Sequence, residues 1–204
     1  VDGSFPPIEI AALAIAGGYL FGSIPFGLVL TRLAGLGDIR DIGSGSIGAT
    51  NVLRTGNKPL AAATLVLDSG KGAIAVVIAM MLAGPTVGIL AGVAAVFGHN
   101  FPIWLRFKGG KGVATTFGVL IAIAPLVALG AGLVWLLVAV VTRYSSAAAL
   151  TAGLAAPLIA WALGLTDITV ASAVLAALGW IRHHQNIGRL IAGEESKISF
   201  KRKG

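Results

Sequence analysis

Long apolar runs separated by short polar gaps make up nearly the whole chain. The runs cover 8–30, 60–83, 86–105, 113–124, 126–142, 147–163 and 169–181. The gaps fall at 31–59, 106–112, 143–146, 164–168 and 182–204, and Pro85 and Pro125 mark two further turns. A bilayer core of about 30 Å is crossed by about 20 helical residues, so the pattern predicts an all-α fold, a polytopic membrane helix bundle. The fourth run is short. Its residues, 113–124, would cover only about 18 Å at the helical rise. It is either a short or re-entrant helix of its own, or part of one long helix over 113–141 kinked at Pro125.

Charge separates these two readings. With seven transmembrane helices and the N-terminus outside, the gaps 31–59, 106–112, 143–146 and 182–204 all face inward. All 15 Lys and Arg then lie on or near the cytoplasmic side, and the outer segments keep only Asp2, Glu9 and Asp167. With six helices, eight basic residues fall on one side and seven on the other. The positive-inside tendency favours seven, with a cytoplasmic C-terminus. No repeat or soluble domain interrupts the series, so residues 1–204 read as a single integral-membrane domain. The leading VDGSFPPIE has no Lys or Arg, so the first run reads as a retained helix rather than a cleaved signal. The closing KISFKRKG reads as a basic tail lying along the anionic inner leaflet.

Composition supports the membrane assignment. The chain is 56% hydrophobic and 11% charged, where a soluble domain carries about 25% charged residues. Its mean hydropathy is +0.92. The 29 glycines suit helices that approach closely. The absence of cysteine excludes disulfides and thiolate metal sites. A net charge of +7 would suggest nucleic acid in a soluble protein. Here the charge lies between apolar runs, so the partners expected are an anionic substrate and anionic lipid headgroups, with no nucleic acid.

Three polar segments carry unusual chemistry, and the seven-helix topology brings all of them to one face. The first is GSGSIGATNVLR, residues 43–54. Its glycines can expose successive N–H groups as an anion nest, Ser44 and Asn51 add donors, and Arg54 can hold two phosphate oxygens. The competing reading is a Gly/Ser linker with a helix cap. The second is GHNFPIWLRFKGGKG, residues 98–112, where His99, Arg106, Lys108 and Lys111 surround the pair Gly109-Gly110. It leads into a helix at Val113, whose N-terminal N–H groups also favour anions. It is not a nucleotide-binding P-loop, because Gly112 stands where that motif needs Ser or Thr. The third is RHHQNIGRLIAGEE, residues 182–195. On a helix continuing from the last run, His183 and Asn186 share a face and Arg189 drifts from it. His183 could move a proton near neutral pH, Asn186 could orient a substrate oxygen, and Glu195 could cap or pair with an Arg. His183 and His184 carry no third ligand at helical spacing, so no metal is expected.

Isolated polar residues have milder readings. Asp68 and Lys71 in LDSGKG interrupt the second run and read as a structural pair. Ser23 reads as a hydrogen bond between helices. Ser145 and Ser146 offer hydroxyls to an anion, with helix capping as the plainer role. Trp104, Trp135, Trp161 and Trp180 lie near run ends, as interfacial anchors would.

Taken in order, GSGSIGATNVLR, GHNFPIWLRFKGGKGVAT and RHHQNIGRLIAGEE resemble the three signature motifs of the bacterial PlsY-type glycerol-3-phosphate acyltransferases. GSIPFG and LDSGKG are similar to that family too. The resemblance implies an inner-membrane enzyme with seven spanning helices and its active site on the cytoplasmic face. It would transfer a fatty acyl group from acyl-phosphate to the 1-hydroxyl of glycerol 3-phosphate, giving lysophosphatidic acid and phosphate without a cofactor. Neither acyl-CoA nor acyl carrier protein would be the direct donor, and the enzyme that forms acyl-phosphate is a candidate partner. The H-x-x-x-x-D pair of soluble-type glycerolipid acyltransferases is absent, since position 104 after His99 is Trp. In the roles implied, Ser44, Gly45, Arg54 and Ser146 bind phosphate, and Lys108, Gly109, Gly110 and Lys111 hold the glycerol phosphate. Lys111 also counts among the catalytic positions with His183 and Asn186, and Glu195 is structural. Rival classes fit less well. A transporter is expected to show repeats and midplane sites, and a CDP-alcohol phosphotransferase needs clustered aspartates for metal.

Overall fold

The structure, a computed structural model, describes residues 7–198. Among these residues every regular element is helical. Two compact units divide the chain, the first ending at Pro125 and the second beginning at Leu126.

The first unit opens with α1 (Ile8–Gly22) and α2 (Phe26–Leu33). The run 8–30 is therefore not one helix. Pro25 lacks an N–H and pushes Ile24 out of the helical region, so the helix stops at Gly22 and restarts at Phe26. Ser23 does not bond between helices as expected. Its hydroxyl donates to Tyr19 O of its own helix at 2.7 Å. A 3₁₀ turn (Ile39–Asp41) and the one-turn α3 (Ala49–Val52) then lead to α4 (Lys58–Ala83). Asn57 caps α4 by accepting from Leu60 N at 3.0 Å. At 26 residues, α4 extends about 39 Å, and it packs against α1 and α5 (Pro85–Asn100). Gly84 turns the chain between α4 and α5 at φ +86. The run 86–105 is also interrupted, because α5 ends at Asn100 before Pro102 and a 3₁₀ turn (Ile103–Leu105) follows. α6 (Val113–Ile123) closes the unit against α4.

Close helix approach explains much of the glycine. A Cβ on Gly18 or Gly22 of α1 would collide with the carbonyls of Ala91 and Ala95 on α5. With no hydrophobic effect between helices in lipid, such backbone contact is what holds them together.

The second unit holds α7 (Pro125–Thr142), α8 (Ser145–Ala162), α9 (Thr166–Arg182) and α10 (His184–Ile191). α6 and α7 are separate helices, parted at Ala124 (φ −154). α8 and α9 pack side by side, and Trp180 Nε1 donates to Leu150 O at 3.3 Å. Trp180 thus braces a helix pair. Trp135 lies in the middle of α7 and not at its end as expected, while Trp161 stands at the end of α8 and is 73% exposed.

Among the described residues, five helical segments are long and apolar enough to cross a membrane, with α1 and α2 taken together. α6, at 11 residues, is shorter. Their outward leucines are open, as with Leu82 at 82% exposure. In water such a face would drive aggregation; against lipid it is matched to its surroundings. The last residues of the basic tail, 199–204, lie outside the described residues.

Candidate active site

The first polar segment is organised by a buried amide. Asn51, 2% exposed, sits in α3, and residues 39–46 wrap around it. Its Nδ2 donates to Ile39 O at 2.8 Å, Ser46 O at 2.8 Å and Ile42 O at 3.1 Å. Its Oδ1 accepts from Ser44 N at 3.1 Å and Arg54 Nη1 at 3.2 Å. This revises the anion-nest expectation. Gly43 and Gly45 do take positive φ (+58 and +66), but three of the loop's N–H groups are engaged. Ser44 gives its N–H to Asn51, Gly45 to Ile42 O at 3.1 Å and Gly48 to Ser46 Oγ at 3.3 Å. The outward cation of the segment is Arg54, exposed and steadied by Asn51. Upstream, Asp38 receives Arg40 at 2.6 Å and Arg32 at 2.7 Å. The Arg40 hydrogen bond, the largest influence, holds its carboxyl well below the ordinary carboxylate range against the opposing cost of burial.

The second segment folds back on the end of α5. Gly109 N donates to Asn100 O at 3.2 Å and Gly110 N to His99 O at 3.0 Å. A Cβ on Gly109 would strike His99 O and Pro102, and one on Gly110 would strike the His99 ring at Nε2. The paired glycines thus have a packing reason, and their N–H groups already serve the fold. Lys108 is exposed, Lys111 is half-buried, and Gly112 turns at φ +80 to start α6 at Val113, as the sequence predicts. Arg106 and Phe107 both occupy the left-handed region (φ +51 and +63), a costly conformation for residues with a Cβ. The turn is held by Phe107 N donating to Pro102 O at 3.0 Å.

His99 is 3% exposed, with Nε2 against Gly110 of the loop and Nδ1 turned into the helices. There it meets the expected Asp68–Lys71 pair. Lys71 Nζ lies 2.7 Å from Asp68 Oδ1, 2.7 Å from Ile24 O and 3.0 Å from His99 Nδ1. His99 Nδ1 also lies 3.6 Å from Asp68 Oδ1, so lysine, carboxylate and imidazole form one buried cluster.

The third segment, in the second unit, centres on Glu195. Its Oε1 accepts from Asn186 Nδ2 at 2.6 Å and Ser146 Oγ at 2.9 Å, and its Oε2 accepts from Arg189 Nε at 2.7 Å. Burial alone would raise this carboxyl, but the hydrogen bonds from Asn186, Arg189 and Ser146 outweigh it and hold the group below its ordinary value. Gly193 makes the contact possible. At φ +72 it ends α10, and Glu194 N returns to Arg189 O at 2.8 Å, so the chain reverses and Glu195 reaches under the helix.

Two expectations change here. The helix does not continue from the last run: it breaks at His183 (φ −96, ψ 8) between α9 and α10. Ser145 and Ser146 do not cap α8, whose N-cap is Tyr144 without a side-chain bond. The Ser146 hydroxyl belongs instead to Glu195. His183 and Asn186 are nonetheless both 4% exposed. His183 Nδ1 lies 2.7 Å from Gly179 O, which accepts only. Nδ1 therefore carries the hydrogen, and Nε2 is the basic nitrogen of the neutral ring. Asn186 Oδ1 is buried without a hydrogen-bond partner, an orphan acceptor in a site otherwise well satisfied.

Two features were out of reach of sequence reasoning. The Ser146–Glu195 bond spans 49 positions, with no local signal at either end. His99 was grouped with the basic loop because it is adjacent to it in sequence. A polar residue in the last turn of a helix, facing an Asp-x-x-Lys pair on the neighbouring helix, was the available hint.

Comparison with known proteins agrees across nearly the whole chain. Residues 12–193 match the sequence model of the family described as glycerol-3-phosphate acyltransferase. The glycerol-3-phosphate acyltransferase of Rhodospirillum rubrum is 58% identical over 206 residues, covering 97% of this chain and 95% of that protein. The enzyme of the same name from Agrobacterium fabrum is 56% identical, covering 94% of each. The fold is that of the crystal structures of PlsY (YgiH), an integral membrane glycerol 3-phosphate acyltransferase. Its glycerol 3-phosphate form superposes with a TM-score of 0.88 at 41% identity, covering 93% of this chain and 96% of that one. Its lysophosphatidic acid form gives 0.86 at 40% identity, covering 93% and 95%. With its signature segments, its helical membrane fold and these matches in agreement, the chain belongs to the glycerol-3-phosphate acyltransferase family.

Proposed function

We propose that this acyltransferase takes its acyl group from acyl-phosphate and delivers it to the 1-hydroxyl of glycerol 3-phosphate. The products are lysophosphatidic acid and inorganic phosphate, in the first step of phospholipid synthesis. The hydroxyl oxygen attacks the acyl carbonyl, the bond from that carbon to the phosphate oxygen breaks, and phosphate leaves. Acyl phosphate is already activated, so no protein nucleophile is required, and the chain has no cysteine to supply one.

The observation that carries this reading is the His183–Asn186 pair. Asn186 is fixed by Glu195 at 2.6 Å, leaving a buried oxygen to accept the substrate hydroxyl. Its neighbour His183 has its basic nitrogen set by Gly179. The hydroxyl proton goes to His183 Nε2 or to a phosphate oxygen of a substrate. Ser44, Gly45, Arg54 and Ser146 serve phosphate binding, Ser146 and Gly45 by fixing the geometry around it. Lys108, Gly109, Gly110 and Lys111 form the loop for glycerol phosphate, with the lysines as ligands and the glycines as its fold. Lys111 also neutralises charge at the reacting centre. Glu195 holds Asn186, Arg189 and Ser146 in place.

The distribution of Lys and Arg favours seven spanning helices, an outside N-terminus and a cytoplasmic C-terminus in a bacterial inner membrane, with the site on the cytoplasmic face. An acyl-phosphate-forming enzyme is the partner this donor requires. The test is phosphate release by purified protein given glycerol 3-phosphate and, in turn, acyl-phosphate, acyl-CoA and acyl carrier protein. Turnover with acyl-phosphate alone is expected. Equal turnover with acyl-CoA would overturn the donor assignment.

A further inference from the structure

The Asp68–Lys71–His99 cluster is a deeply buried charged group in the first unit that the proposed chemistry does not use. Its side chains are almost wholly enclosed, at 1% for Asp68, 1% for Lys71 and 3% for His99. Burying charge is costly, and a pair of apolar residues would often serve stability as well. Its contacts offer a reason for keeping it.

Lys71 reaches in two directions. On one side its Nζ donates to Ile24 O at 2.7 Å, a carbonyl in the break between α1 and α2 that also accepts from Phe26 N at 3.1 Å. Just beyond the break, Phe26 lays its ring 5.6 Å from the same ammonium. The next residue, Gly27, packs so tightly on the first polar segment that a Cβ would collide with Ile47 O. On the other side Lys71 Nζ lies 3.0 Å from His99 Nδ1. The far nitrogen of that ring is pressed against the α-carbon of Gly110 in the second segment. One ammonium is therefore joined to both segments by short chains of direct contact, through α2 to Ile47 and through His99 to Gly110.

We propose that Lys71, neutralised by Asp68, is a positioning residue that fixes the spacing between the GSGSIG and KGGKG segments. It touches no substrate. His99 transmits the position to the second segment, and the α1–α2 break transmits it to the first. The lysine is suited to this because one ammonium carries three hydrogens and here meets Ile24 O, the Asp68 carboxylate and His99 Nδ1 within 3.0 Å. The kinetic arm of the test rests on the acyl-transfer reading. The distance arm does not.

The informative variant is Asp68→Asn with Lys71→Gln, which removes both charges together and leaves neither buried alone. Because the chain has no cysteine, spin labels go only where cysteines are introduced, at exposed Asp41 and Trp104. In the parent protein, pulsed electron-spin measurement in bilayers should give one narrow distance distribution. The double variant should broaden or shift it. In unlabelled protein its KM for glycerol 3-phosphate should rise about tenfold or more, beyond any fall in kcat, with thermal stability retained. An unchanged distribution together with an unchanged KM would overturn the proposal. Should the double variant fail to fold, His99→Gln decides. It keeps the Asp68–Lys71 ion pair and removes the ring that links Lys71 to Gly110, so it should raise the same KM, and parental KM and distance distribution would sink the idea. Parent protein inactive with acyl-phosphate would refute the donor assignment and leave the distance result standing.

Discussion

Asp68 and Glu195 are both buried carboxylates, and they are built in opposite ways. Asp68 lies ten residues into α4 and faces a lysine on its own helix at i+3, in the apolar interior. Glu195 lies beyond α10 and takes neutral and cationic donors from separate elements, Ser146 on α8 and Asn186 and Arg189 on α10. The first is a charge cancelled locally. The second is a charge used as a hub, because an ionised carboxylate can accept several hydrogen bonds and so fix several side chains at once. The difference teaches where each is sensitive. Asp68 matters to the helices around it, and Glu195 matters to the geometry of Asn186.

The largest effect should come from breaking the first kind of site on one side only. Asp68→Asn leaves Lys71 charged without its counter-ion and should cost about 3–5 kcal/mol, read as a loss of thermal stability in detergent or bilayer. If Asp68→Asn melts with the parent, the pairing is not what makes the cluster tolerable. Next comes the proton path beside the second hub. His183→Gln should lower kcat by about 10²-fold or more with little change in stability, and a loss under about tenfold would assign the proton to a substrate phosphate. Third, Glu195→Gln weakens hydrogen bonds to a charged group, each worth about 1.5–3 kcal/mol, and should reduce activity through Asn186.

That variant also tests the pH dependence. The folded carboxyl of Glu195 sits below its ordinary value of 4.5, so its contribution is complete above that value. It is lost as pH falls through the lower folded one. Melting curves should show this acid loss in the parent and not in Glu195→Gln. The smallest effect belongs to a surface pair. Arg32 meets Asp38 at 2.7 Å but is 54% exposed, and Arg32→Ala should cost under about 1 kcal/mol. A larger loss would mean that the turn before Ile39 depends on both arginines.

The same contrast marks what the sequence could tell. Helices were legible in the apolar runs, because segments of membrane length have few alternatives, whereas the one-turn α3 in the polar gap was not. Helix ends were less so. The breaks at Ser23–Pro25 and at Phe101–Pro102 were signalled by prolines, but the apolar flanks on either side concealed them. The Asp68–Lys71 pair was readable because both partners lie on one helix turn. Ser146 with Glu195 was not, since nothing in SSAAAL refers to the GEES segment. The glycines of GSGSIG and KGGKG drew attention for the wrong physical reason. Their positions suggested N–H groups turned outward to an anion, whereas Gly45, Gly109 and Gly110 spend those groups on Ile42, Asn100 and His99. A glycine needed for close packing and one needed for ligand contact are identical letters, and only the neighbours separate them.

The placement of Asp68 and Lys71 also constrains how the protein is made. Residue 68 lies about 15 Å along α4 from its start at Lys58, roughly half the depth of a bilayer. α4 therefore carries both groups to mid-helix, on a segment long and apolar enough to span a bilayer. Two lone ions there would each cost about 2.5–3.5 kcal/mol on the insertion scale. Placed one turn apart, they enter as a neutral dipole, and the helix brings its own counter-ion into the lipid.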